Sequence, residues 1–188
     1  MWLFGRKTNR RMDFDREKFK AVVHYIIWKA GSHHKFGATK LNKVLWFADA
    51  RLYMLTGRPI SGATYTRQKW GPVPKQIMPV RSELAREGAI SIIDSRGDGD
   101  NTKFKALTSP DISMLSEKEK QVLDYWIDHI DKDHTAASIS EQSHDYGWEI
   151  AEMGEELPLA AFMASRIRSP NEIESEEIRK RAKELGLI

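Results

Sequence analysis

The 188-residue chain contains no cysteine, which removes disulfides, thiolate nucleophiles, iron–sulfur clusters and cysteine-ligated zinc together. Any metal site would have to be built from histidine and carboxylates. His24, His33, His34, His129, His134 and His144 include no His-x-x-x-His pair for one helical face to present, so neither a metal nor another cofactor is expected. Long apolar runs are missing too, and no stretch approaches the roughly 18 consecutive apolar residues that a membrane-spanning helix needs. The N-terminus, MWLFGRKTNRR, sets an apolar stub before its basic residues, the reverse of a secretory signal. The expectation is a soluble, cytoplasmic protein with no membrane contact. The phosphate-cradling Gly-x-x-x-x-Gly-Lys and the Gly-x-Ser-x-Gly elbow are also absent. Ser143, His144 and Asp145 are consecutive, and consecutive side chains point apart where a catalytic triad must converge. The chain is not expected to be an enzyme; a hydrolase relying on Asp49 or His144 is the weakest of the competing readings.

What the chain does contain is enough apolar material for one core. Hydrophobic residues make up 40%, and there are six Trp, seven Phe and five Tyr, too many large apolar side chains for a disordered chain. Residues 1–12 are basic and aperiodic and read as a flexible arm. Asp13 or Asp15 can cap a helix to about Ala30, with Phe19, Val22, Val23, Ile26 and Ile27 on one face and Gly31 at its end. After a loop holding His33 and His34, Thr39 is expected to cap a second helix that is apolar around most of its circumference and therefore central. Asp49 is the polar exception within it, a residue type that pairs with an Arg or caps a neighbouring segment.

Gly57 to Pro74 is rich in Gly and Pro and reads as an irregular connection or a short strand around Tyr65 to Trp70. The next helix contains Pro79, which kinks it or marks its start. Ala89 to Asp94 and Lys103 to Leu107 form a hairpin around RGDGDN. Ser116 and Glu119 make a capping box before a helix with Val122, Leu123, Trp126, Ile127 and Ile130 on its stripe. Thr135 or Ser138 opens a short helix ending near Ser143, and a terminal helix is expected from Ser169 to about Leu185. The fold class is mainly α with a small β-hairpin, a compact α+β domain over residues 13–150 with a winged-helix-like helix-helix-hairpin element. Residues 151–188 read as an acidic helical extension.

The net charge of +3 conceals an asymmetry. Residues 1–109 carry 21 Lys and Arg against 9 Asp and Glu, or +12; residues 110–188 carry 9 against 18, or −9. A basic half points to nucleic acid or an acidic partner, and an acidic half to a cover for the basic one or a dock for a basic partner. For DNA, Lys75, Arg81 and Arg86 on the third helix with Arg96, Lys103 and Lys105 on the hairpin suit phosphate contacts. For a protein partner, Tyr65, Arg67 and Trp70 are the residue types that anchor interfaces.

Over residues 40 to 90, Lys40-Leu41 and Lys43 lead a Leu/aromatic helix, followed by Thr56-Gly57-Arg58-Pro59, a Trp70-Gly71-Pro72-Val73 turn, and a helix closed by Gly88. Downstream come Leu115-Ser116 before a helix and Ser143-His144 with Trp148. In these two blocks the chain resembles the Panacea domain, the SocA-like antitoxin or phage-associated Gep family, across roughly residues 20 to 150. Pro79 and the tail after about residue 150 depart from that pattern. The resemblance implies a mostly helical domain with a small hairpin, found in bacterial and prophage toxin–antitoxin pairs. There it neutralises a toxin encoded nearby by direct contact, in one branch as an adaptor to a protease. No catalytic residues carry over. The expected partner-binding residues are Lys40, Lys43, Tyr65, Arg67, Trp70, His144 and Trp148, and charge reversal at Lys40 and Lys43 is expected to weaken the partnership. The competing reading is a winged-helix-like DNA-binding regulator.

Overall fold

The computed structural model describes residues 13–31, 36–93, 102–164 and residue 180. The basic arm, the His33–His34 loop, the RGDGDN turn with Arg96, and the terminal helix (residue 180 apart) lie outside the described residues. Helix α1 spans Arg16–Ala30. Of the two candidate caps it uses Asp15, whose carboxylate accepts the Lys18 N–H at 2.9 Å, and it ends at Gly31. Helix α2, Ala38–Thr56, is the centre of the molecule, with Leu41, Val44, Leu45, Trp46, Phe47, Ala48, Ala50 and Leu52 all buried. Its N-cap is Gly37, without a capping side chain, rather than the expected Thr39. The reason is tertiary. Gly37 bridges to Lys103, and the Ala38 N–H donates to the Thr102 carbonyl at 2.9 Å, so a neighbouring strand does the work of a cap.

The irregular stretch after α2 resolves into two strands, β1 (Tyr65–Gln68) and β2 (Gly71–Pro74), paired antiparallel. Lys69-Trp70 forms the turn, so Gly71-Pro72-Val73 is strand and not turn. Two prolines in one strand fit because β2 is an edge of its sheet. Helix α3, Ile77–Arg86, places Pro79 in its first turn, where a missing N–H costs nothing, so the proline marks the helix start without breaking it. Strands β3 (Ile90–Ile93) and β4 (Lys103–Ala106) form the second, expected hairpin.

Helix α4, Glu117–Asp133, carries the complete Ser116/Glu119 capping box. It lies along α2, with Phe47 and Trp126 stacked at 4.7 Å. Helix α5 (Ala136–Gln142) is capped by Thr135, and a further short helix, α6 (Tyr146–Ile150), by Asp145. The sequence reading misses α6; at five residues it is too short to show a period. Residues 151–164 pack on the body. Strand β5, Glu156–Leu157, pairs with β1 and completes a three-stranded sheet. Helix α7, Leu159–Ala164, buries Phe162 against Trp46 and Phe47, with ring centroids at 6.1 and 5.9 Å. The expected boundary at residue 150 therefore does not coincide with an edge of packing. The result is the expected mainly helical α+β class, with one continuous core around α2 and no helix long and apolar enough to cross a membrane among the described residues.

Asp49 ties α2 to the loop and sheet that follow it. Its fully buried carboxylate accepts the Ile60 N–H at 2.8 Å and the Tyr65 hydroxyl at 2.7 Å. Burial raises its pKa to about 6, against the downward pull of those hydrogen bonds. Because the folded value lies above the unfolded one near 3.8, this group's contribution is complete below the unfolded value and is lost as pH rises toward 6. Asp49→Asn, which keeps the Ile60 contact, should flatten that part of the stability profile in urea titrations at pH 4 to 7. Asp49→Ala strands two donors and should cost about 2 to 4 kcal/mol in the same titrations.

Candidate interaction site

The β1–β2 hairpin meets the start of α6, and an aromatic and cationic cluster forms where they touch. The Trp148 indole N–H donates to the Gln68 carbonyl at 3.0 Å, which fixes the ring beside β1. His144 stacks on Trp148 at 3.6 Å with planes 7° apart, and the Arg67 guanidinium lies 4.3 Å from the same ring. At the hairpin tip Trp70 is 45% exposed, with the Lys69 ammonium 4.6 Å from its ring. Burial, reinforced by Lys43 and Arg67, pushes the His144 pKa below its ordinary value, so near neutral pH the imidazole stacks uncharged.

Ser143, His144 and Asp145 have three separate tasks. The buried Ser143 hydroxyl donates to the Ser140 carbonyl at 2.6 Å, His144 packs on the indole, and Asp145 accepts the Trp148 N–H at 2.9 Å to cap α6.

Of the expected partner-binding residues, Arg67, His144 and Trp148 come together here, while Trp70 stands at the hairpin tip and lines a neighbouring cleft. Lys40, Lys43 and Tyr65 do not join them, because all three are buried. The Lys40 ammonium donates to the Asp131 carbonyl at 3.3 Å and pairs with its carboxylate at 3.6 Å, tying α2 to α4. Tyr65 packs edge-on to Trp46 at 5.0 Å and bonds to Asp49. The Lys43 ammonium donates to the Pro72 carbonyl at 3.4 Å, beneath the hairpin, and burial lowers its pKa to about 7. Neither lysine is a solvated helix edge, so charge reversal at either would act on the fold before it acted on a partner.

The cations assigned to DNA contact are also divided. Lys75 pairs with Glu156 at 2.8 Å, and Arg81 is buried with its guanidinium 4.5 Å from the Phe104 ring. Arg86, Lys103 and Lys105 are exposed; Arg96 lies outside the described residues.

A cleft of about 190 Å³ opens beside this cluster, between the first turns of α2, the hairpin and α3, and sequence reasoning does not find it. Its lining includes Thr39, Asn42, Lys43, Trp70, Met78 and Arg81. Adjacent polar residues Asn42-Lys43 inside an otherwise apolar helix are the one signal for it in the sequence.

The family described as "Antitoxin SocA-like, Panacea domain" matches residues 41–149. That span runs from α2 to α6 and contains the Arg67–His144–Trp148 cluster. No curated protein and no solved structure matches the chain.

Gly71 holds this region closed. Its φ is +97°, and a Cβ there would collide with both Ser143 Oγ and Lys43 Nζ. Gly71→Ala should therefore destabilise the fold by about 3 kcal/mol or more, read from thermal or urea unfolding. Ser143→Ala in the same chain should recover only part of the loss, since the left-handed backbone strain stays.

Proposed function

This chain belongs to the SocA-like antitoxin family with its Panacea domain, and from that premise we propose that it is the cytoplasmic antitoxin of a bacterial or prophage toxin–antitoxin pair. In this reading it neutralises a separately encoded toxin by direct protein contact and carries out no covalent chemistry of its own.

The observation that carries the contact surface is the cluster of Arg67, Trp148 and His144 at the β1–β2 hairpin, with the exposed Trp70 at the tip of the same hairpin. Tryptophan and arginine are enriched among the residues that carry the binding energy of protein interfaces, since each covers a large area. Here Arg67, Trp148 and His144 hold one another in place, so much of the ordering cost of binding is met within the free chain. Trp70 differs in being half exposed, and it supplies the apolar area left to bury.

Co-expression with the toxin gene encoded next to it tests the reading. The toxin should arrest growth alone and this chain should relieve the arrest; failure of relief with both proteins present overturns the proposal. Trp70→Ala should weaken complex formation roughly 10- to 100-fold by calorimetry, with unfolding unchanged. Blocking leaves the toxin at its normal steady-state level, whereas delivery to a protease lowers it, so an immunoblot of the toxin separates the two modes.

A further inference from the structure

Lys43 is a buried amine without a counter-charge among the described residues. Its side chain is 1% exposed, its hydrogen bond to the Pro72 carbonyl is long at 3.4 Å, and no carboxylate pairs with it among the described residues. Arg81 of α3 lines the same cleft, and Lys43 and Arg67 of β1 both lower the pKa of His144, just before α6, while Glu141 and Glu149 act on that imidazole in the opposite sense. The lowering of the Lys43 pKa by burial alone agrees with this lack of an anionic neighbour. A buried ammonium held this way is costly, and the residue that bears it is part of the cleft wall.

Two further features of the cleft point toward an incoming polar group. Asn42 Oδ1 is buried with no hydrogen-bond partner, and a side-chain amide can turn to present either its oxygen or its NH2. The cleft is also lined by Ala38 and Thr39 from the first turn of α2, whose N-cap Gly37 contributes no side chain; that end of a helix carries partial positive charge. Trp70, Val73, Ile77 and Met78 supply apolar walls, suited to the methylenes that precede a charged tip.

We propose that this cleft is a carboxylate-binding site in which Lys43 is the buried counter-charge and Asn42 a hydrogen-bond donor, and that the carboxylate comes from an acidic side chain of the protein partner. The assignment of a protein source rests on the antitoxin reading; the carboxylate chemistry does not. The apolar walls favour a glutamate-like chain over a bare small anion, because its methylenes lie against Trp70 and Met78 while its tip reaches Lys43.

The test follows the Lys43 side chain by NMR in the full chain labelled at lysine Cε, with the resonance assigned through its own backbone. The probe is N-acetyl-glutamic acid α-amide, with N-acetyl-glutamine amide as its uncharged isostere and acetate as the free anion, all at one ionic strength. The carboxylate probe should raise the Lys43 midpoint by about one to three pH units, and the glutamine isostere should leave it in place. Met78→Trp, at a position 61% exposed on α3, should narrow the cleft and abolish the response without disturbing the core. No shift with the acidic probe, or equal shifts with acid and isostere, overturns the site. An equal shift with acetate at the same concentration overturns the protein source. Relief of toxicity is scored separately, so a chain that still neutralises its toxin while Lys43 ignores the probe loses the cleft and keeps the function.

Discussion

A helix enclosed on nearly every side must find a partner for each polar side chain it carries, and much of the molecule is arranged to meet that demand on α2. Asp49 is met by the Ile60 N–H and the Tyr65 hydroxyl, Lys40 by Asp131 on α4, and Lys43 by the Pro72 carbonyl. Each contact fixes a different element against the helix: the β1 strand, α4 and the β2 strand. Apolar burial supplies the driving force, but it is indifferent to register. Directional bonds to buried polar groups decide which residue of each element faces α2.

The charge asymmetry of the sequence takes on a different meaning in three dimensions. Among the described residues, basic side chains of the first half pair with acidic ones of the second across the fold. Lys18 meets Glu119 at 2.7 Å, Lys29 meets Asp124 at 3.1 Å, Lys40 meets Asp131 at 3.6 Å and Lys75 meets Glu156 at 2.8 Å. Four basic side chains of the first half are thus matched by acidic ones of the second. Two of these pairs, Lys29–Asp124 and Lys75–Glu156, are well exposed and contribute little stability individually. Together they consume charges that a reader of the sequence would reserve for a partner, and that is why a linear charge count is a weak guide to an interface.

Most helices were legible because their signals are local. The Ser116/Glu119 box, Asp15 ahead of α1 and Gly57 after α2 act within one turn of the backbone, and the apolar stripes of α1 and α4 match their buried faces. The misses are nonlocal. Thr39 has the right chemistry for a cap, yet Thr102, just ahead of β4, takes over the first α2 N–H. Strand β2 was hidden because proline counts against strands in general and an edge position cannot be seen in a sequence. For the candidate site, Arg67, Trp70, His144 and Trp148 were legible as residue types. The burial of Lys40, Lys43 and Tyr65 was not, since polar side chains on a helix read as solvated until their surroundings are known.

The two prolines of β2 also limit how another protein can approach. Strand β2 is one edge of the three-stranded sheet, and Pro72 and Pro74 remove the N–H donor from two of its four positions. The opposite edge, β5, is two residues long. Neither border presents the unbroken row of donors and acceptors that a guest strand requires. The sheet is thus closed to augmentation and to edge-to-edge self-assembly, and recognition at this end of the molecule is left to side chains, whose shape and charge can discriminate among partners where a bare backbone cannot.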